Sequence, residues 1–554
     1  MLSQKTAWRP EGRSRVVEQL SESATVWDMV IVGGGITGAG IYREAARLGL
    51  KVLLIEQRDF AWGTSSRSSK MVHGGLRYLG SGQFSLANDS VKERQKLMQE
   101  LPGLVNPLPF VMGHYKGMFP GPWIFNKLLA IYDYMAGQRY RKYFSKGIRD
   151  FLVPGMNTYN LKGATQFADA VTDDARLVMR VLHDGNADGG TAVNYLKAVD
   201  TLKAPDTGNV QGLQVEDQLS GQAFEITANV VINATGTWTD ELRQTLGQEK
   251  VIRPLRGSHL VIPFWRLPTA FSVSFFHAKD KRPVFVFPWE GVSVIGTTDL
   301  DHLQNASEES SITAAEIDYL LDAANGQFPD AKLSKQDVRA TWSGVRPVVS
   351  KHQDQTADTS KPNKPSDEKR EHAVWDDQGL ISVAGGKLTT YRLIAIDVLE
   401  RAAAYVPTLR SGLNKRVIGE KETSHFHPSV LTSNYVALST ALKQRLLGRY
   451  GSHTQSLLSH AETLDARYKK VGASETLWAE LSWSCLNETV QHLDDLLLRR
   501  TRIGLLLEHG AEAELQGIKT ICQKYLAWDD ARWLFEVKRY QDIIKKHYAL
   551  PDAD

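Results

Sequence analysis

Three glycines at fixed spacing are the first residues in this chain whose types could do chemistry. Residues 28–38 read DMVIVGGGITG, an apolar strand running into Gly33, Gly35 and Gly38, and Glu56 closes a second apolar strand over 51–55. Gly33 suits a tight turn, Gly35 lets a pyrophosphate approach bare backbone, and Gly38 lets the following helix pack on the strand. That helix, opening at Ile36 and Thr37, offers free N–H groups and a positive dipole end to phosphates. Glu56 stands at about the spacing from which a carboxylate accepts hydrogen bonds from ribose hydroxyls, and it would repel a 2′-phosphate. The unit reads as a dinucleotide-binding βαβ motif. NADP is disfavoured; FAD and NAD remain.

Two later turns look like further ligand edges. The apolar strand 229–232 ends in NATGTW, which contains Ala234 and Gly236, and the strand 380–384 ends in GGKLTTY, residues 385–391, before an apolar-periodic helix running to about 404. With the first motif they predict one sheet assembled from three separated pieces of sequence. The segments between read as β-rich, with short runs at 260–263, 272–276, 283–288 and 292–296 bounded by Pro, Gly and charged turns. Residues 350–372 are polar and read as a surface loop. Beyond about 410 the pattern is helical, with amphipathic stretches near 435–450, 476–488, 493–507 and 511–525.

At 554 residues the chain exceeds what one core organises, so two or three domains are expected. Lys plus Arg exceeds Asp plus Glu by only three, 66 against 63, and a nucleic-acid partner is not expected. Cys485 and Cys522 lack metal-ligand spacing and read as inert buried thiols of a reducing compartment. No metal is expected. Nothing approaches the roughly 18 uninterrupted apolar residues of a spanning helix, and the first 25 residues lack a signal core, so a cytoplasmic location is predicted. One segment suggests a membrane surface. Residues 118–136 carry Phe119, Trp123, Ile124, Phe125, Leu128, Leu129, Ile131, Tyr132 and Tyr134, followed by Arg139, Arg141, Lys142, Lys146 and Arg149. Rings at headgroup depth beside cations suit an interfacial helix, and a buried helix with a solvated basic flank is the alternative.

The run TSSRSSKMVHGGLRYL, residues 64–79, resembles the signature that follows the glycine motif in FAD-dependent glycerol-3-phosphate dehydrogenases. RGSH at 256–259, GTTD at 296–299, SGVRP at 343–347 and GGKLTTY at 385–391 agree with it in order. The resemblance covers most of 28–400; beyond, it rests on Asp494, Asp495, Arg499, Arg500, Thr501 and Gly504. It implies an α/β FAD-binding Rossmann-like domain of the glutathione-reductase and amino-acid-oxidase type, a β-rich substrate domain and an all-helical C-terminal domain. The boundaries expected are 25–103, 170–255 and 335–405 for the first, 104–169 and 256–334 for the second, and 410–554 for the third.

The activity implied is oxidation of sn-glycerol 3-phosphate to dihydroxyacetone phosphate by hydride transfer to flavin N5, with electrons passed to quinone at the inner face of the cytoplasmic membrane. A homodimer is compatible with it. Arg77, Arg346 and Arg370 match the family's phosphate and substrate contacts, and Tyr78 and Thr298 are substrate neighbours by motif position. Thr64, Ser65, Ser69, Lys70 and Met71 would line the flavin or its diphosphate, as would Ala234, Gly236, Gly385, Gly386, Leu388 and Thr389. Lys387, at a helix start, would face the flavin pyrimidine and stabilise negative charge there; the family also places it near substrate. His73 and His259 compete as general base, and Arg346 could favour the alkoxide electrostatically. FAD is preferred over NAD because the serine run and the two later turns supply three more edges along a long cofactor. Rival readings are a glycerol-3-phosphate oxidase using oxygen, an amine or amino-acid oxidase of the same fold, and a non-catalytic flavin-binding membrane regulator.

Overall fold

Met29–Val32 and Val52–Ile55, the strands flanking the glycine turn, are buried at every position, as strands covered on both faces must be. In the computed structural model, which describes residues 7–80, 82–145, 152–304, 308–350, 371–412, 438–465 and 468–551, they form the middle of a six-stranded sheet. Its order is 373–377, 380–384, 231–233, 29–32, 52–55, 191–193, and only the outermost strand, Ala373–Asp377, runs antiparallel to its neighbour. The sheet thus draws on three separated stretches of chain, as the turns predicted. Helices Ile36–Arg47, Asp174–Ala187 and Tyr391–Ala402 share one apolar core with one of its faces. A four-stranded sheet of 26–27, 223–228, 210–217 and 196–203 packs on the other through Leu213, Val215 and Ile226.

The second large sheet has ten strands, counting two that branch from the main ladder. It runs 300–301, 252–263, 292–296, 283–289, 272–276, 105–115, 161–172, 71–72, with 340–349 also paired to 252–263 and 142–144 to 161–172. The strand Ala340–Val349 therefore lies in the substrate-side sheet, and the expected start of the third FAD segment at 335 is corrected to a point beyond 349. Helix Ala314–Gln327, begun by a Thr313 and Glu316 capping box, packs on one face of this sheet. The other face shares a continuous core with the C-terminal helices: Val261, Phe287, Val294 and Trp342 pack with Leu481, Leu496, Leu497 and Ile518.

In the C-terminal domain, helices Thr440–Tyr450, Trp478–Asn487 and Leu515–Leu526 match three of the predicted stretches. The fourth, 493–507, is not one helix. It divides into a wide turn, Asp495–Arg500, and a short helix, Ile503–Leu506, with Arg502 between them at φ 64°. Both cysteines are buried and free. Most of the predicted polar loop, together with Lys146, Arg149 and Arg370, lies outside the described residues.

Candidate active site

Around the glycine turn, Gly33 and Gly38 sit hard against neighbouring backbone. Gly33 has φ 114°, and a Cβ there would lie 2.5 Å from the Ala234 carbonyl oxygen. A Cβ on Gly38 would lie 1.9 Å from the Gly33 oxygen, so any side chain would push the helix off the strand. The first turn of Ile36–Arg47 is met by the serine run: Ser65 Oγ accepts from the Ile36 N–H at 2.9 Å. Thr37, half-buried, follows in that turn. Glu56 is fixed by two backbone donors, Gly34 N at 2.7 Å and Arg58 N at 2.9 Å, and burial raises its carboxyl above the usual range. A bare helix N-terminus, a hydroxyl at its mouth and a fixed carboxylate at the end of the second strand fit the diphosphate and ribose of FAD.

The remaining motifs converge on this cradle. Thr64 Oγ1 donates to the Val345 carbonyl, and Thr237 Oγ1 reaches the same oxygen at 3.5 Å, so one residue beside Arg346 ties the serine run to the turn carrying Ala234 and Gly236. Thr389 Oγ1 donates to the His73 carbonyl at 3.3 Å, joining the GGKLTT turn to the HGG turn. Gly385 and Gly386, at φ 79° and 76°, make the reversal that brings Lys387 and Leu388 there. The Lys387 ammonium lies 3.7 Å from the centre of the Tyr78 ring and donates to Ser90 Oγ at 3.2 Å. Tyr78 is itself buried against Gly75, where a Cβ would meet its ring at 2.1 Å.

On the substrate-side sheet, Arg346 lies over Gly257, whose absent Cβ would stand 2.7 Å from Nη2. Its Nη1 is 3.3 Å from Asp299 Oδ1, and the side chain keeps 28% of its surface exposed. Deeper in the same sheet, His259 is stacked on Trp342 with ring centroids 4.9 Å apart and bonded to Ser69 Oγ at 2.9 Å. Burial first, then the cations Lys70 and Arg346, hold its pKa well below the usual histidine value, so the ring is neutral. Its Nδ1 is buried with no partner. His73 is half-buried and Arg77 is exposed on the short helix Leu76–Gly80.

Three motif residues turn away from their expected tasks. Thr298 is buried; its hydroxyl donates to Glu316 at 2.7 Å and accepts from Ser258 N at 2.9 Å, and so holds a strand end rather than facing substrate. The Lys70 ammonium is fully buried on Asp174 at 2.9 Å and the Ser66 carbonyl at 3.1 Å, between Trp289 and Trp342. Burial and Arg502 lower it to about 8, so it braces the serine run from behind instead of reaching a diphosphate. Met71 pairs with Val171 in the large sheet and packs toward the C-terminal core. Asp299, Ser90 and Trp342 escaped the sequence reading. Asp299 lay within the GTTD motif and gave a signal, whereas Ser90 sits in an ordinary helix, Phe84–Glu100, and gave none.

A Rossmann cradle beside a mixed sheet that carries an arginine and a buried neutral histidine defines a flavin-dependent oxidoreductase of the amino-acid-oxidase class. The family of FAD-dependent oxidoreductases matches residues 28–392, and the C-terminal domain of alpha-glycerophosphate oxidase matches 403–533. The aerobic glycerol-3-phosphate dehydrogenase of Staphylococcus haemolyticus is 34% identical over 494 residues, 86% of each chain, and that of Staphylococcus saprophyticus 33% over 497 residues, again 86% of each. The FAD-complexed glycerol-3-phosphate dehydrogenase of Bacillus halodurans superposes with a TM-score of 0.72 at 25% identity, covering 98% of both chains. The L-alpha-glycerophosphate oxidase of Mycoplasma pneumoniae shares the fold at 17% identity and a TM-score of 0.52, over 69% of this chain and 95% of that one. The chain belongs to the FAD-dependent glycerol-3-phosphate dehydrogenase family, and FAD is its cofactor.

Proposed function

We propose that this protein oxidises sn-glycerol 3-phosphate to dihydroxyacetone phosphate at the inner face of the cytoplasmic membrane and passes the electrons to quinone. The observation that carries the substrate is Arg346, set over Gly257 and steadied by Asp299 beside the serine run. A phosphate dianion calls for a planar, permanently charged donor, and the partly exposed fork of Arg346, with Arg77, supplies one. FAD held by the glycine turn, Glu56 and the serine run would supply the two-electron acceptor for the C2 hydride. Lys387 and the N–H groups of the turn it precedes would supply positive charge to the edge of a bound flavin. His73 takes the hydroxyl proton: it is half-buried and anchored through its carbonyl to Thr389, whereas His259 has Nε2 engaged by Ser69 and Nδ1 sealed from the cleft.

Membrane contact is supported by helix Pro122–Ala136. Phe125, Leu129 and Tyr132 face inward, while Trp123 and Tyr134 are 72% and 87% exposed, with Phe119 at 78% just before the helix. Lys127, Arg139 and Lys142 are exposed around these rings, a pairing of aromatic and basic groups suited to an anionic bilayer surface. No helix among the described residues is long and apolar enough to cross a membrane. The deciding experiment mixes the purified holoprotein anaerobically with sn-glycerol 3-phosphate and follows the visible flavin band. Bleaching reversed by a quinone analogue is expected. Peroxide formed stoichiometrically with turnover in air would replace quinone by oxygen, and bleaching by amines or amino acids alone would overturn the substrate.

A further inference from the structure

The loop from Asp59 to Lys70 has two faces, and only one serves the cradle. On that face Ala61 N bonds the Gly34 carbonyl at 2.9 Å, and Ser65 meets the helix that receives the diphosphate. The other face is held at three points from the far end of the chain. The Asp59 carboxylate, fully buried, accepts from Arg500 Nη2 at 2.7 Å and Nη1 at 2.8 Å, and from Arg499 Nε at 2.5 Å. The Ser66 carbonyl accepts from Arg502 Nη2 at 2.7 Å. Arg67 Nε donates to the Tyr548 hydroxyl at 3.1 Å.

The geometry of Arg502 is built for this contact. It takes a left-handed φ of 64°, a conformation uncommon outside glycine, and its fully buried guanidinium also donates to the Leu498 carbonyl at 2.8 Å. Strain of this kind persists where surrounding contacts over-determine it. Three closely spaced cation positions, 499, 500 and 502, send their side chains to the same loop, which is why 493–507 breaks its helix. A loop of 12 residues fixed on both faces has little freedom left, and a ligand binding to it pays less ordering entropy.

We propose that the C-terminal helical domain sets the position of the flavin-facing loop 59–70, with Arg500, Arg502 and Tyr548 as positioning residues for FAD. The test measures FAD dissociation constants by titrating apoprotein and following flavin fluorescence, alongside far-UV circular dichroism and apoprotein melting. Arg502→Met should raise the FAD Kd about tenfold or more and Tyr548→Phe about threefold, as expected for losing one charged and one weaker hydrogen bond. Arg502→Lys should recover most of the loss. Arg445→Met breaks a pair with Glu480 inside the same domain at 2.9 Å, away from the loop; it should lower melting and leave Kd within about twofold. Should Arg502→Met fail to fold, the near-isosteric Tyr548→Phe decides. An unchanged Kd in a folded Arg502→Met or Tyr548→Phe protein overturns the proposal, as does an equal loss in Arg445→Met.

Discussion

At the scale of single residues, Arg346 has the most to lose. Its fork is held open between Gly257 and Asp299, and truncation to alanine removes the charged donor while leaving the Asp299 carboxylate without it. Arg346→Ala should weaken glycerol 3-phosphate binding by about 2 to 5 kcal/mol, read as a raised KM, with FAD content unchanged. Normal turnover would remove Arg346 from the site. The settings of Gly33 and Gly38 were legible because close backbone approach is encoded directly by residue type and spacing. Thr298 and Lys70 were not. A motif fixes which residues are near a ligand but not which way a side chain turns, and both turn to buried carboxylates, Glu316 and Asp174, that lie far off in sequence. The two histidines differ in the same way. His73→Asn should depress kcat far more than KM across pH, while His259→Asn, altering a neutral ring behind Ser69, should change chiefly the flavin environment seen in its visible spectrum.

Among elements, those whose pattern is local were readable. Ser272–Phe276 and Val292–Gly296 fall where their apolar runs between turn residues placed them. The long strand Val105–Tyr115 was not recognised, since Pro107 and Pro109 argue against a ladder. The topology removes that objection: on one side the strand pairs with Leu161–Thr172, and on the other Ser272–Phe276 reaches only Phe110 to Met112. Positions 107 and 109 therefore border an edge where a missing N–H breaks no bond. The helix 493–507 failed for the opposite reason, its local periodicity being overridden by buried arginines with tertiary partners. Helix Pro122–Ala136 carries the element-level prediction. Burial of each outward ring contributes roughly 1.5 to 3 kcal/mol, so Trp123→Ser combined with Tyr134→Ser should weaken binding to anionic vesicles by at least about a hundredfold. Turnover with a water-soluble acceptor should be preserved. Co-sedimentation equal to that of the parent protein would place the lipid contact elsewhere.

For the whole molecule, stability rests on charges and imidazoles packed between the FAD domain and the C-terminal domain. Arg176 makes a two-pronged contact with Glu488 at 2.6 and 2.9 Å, and His183 shares that carboxylate at 2.9 Å. The His453 ring lies tilted against His183 with centroids 4.6 Å apart. Burial, then the neighbouring His183, pushes His453 down to about 3, against the partial offset of Glu488 and Asp184, and burial also lowers His183. The sign follows from proton counting. Between about 6.5 and 3 the unfolded chain binds a proton at residue 453 that the folded protein refuses, so stability falls as pH drops through that window and is unaffected by this group above it. Asp173, held at about 2 despite burial by Arg449 and Arg502, adds a second loss only between about 4 and 2. The urea midpoint of the FAD-saturated protein should therefore decline already between pH 7 and pH 5, before carboxylates titrate. His453→Asn removes the titrating ring and should flatten that decline while leaving the acid limb below pH 4 in place. An equally steep fall from pH 7 to pH 5 in the variant would assign the acid sensitivity to another buried group and detach it from this interface.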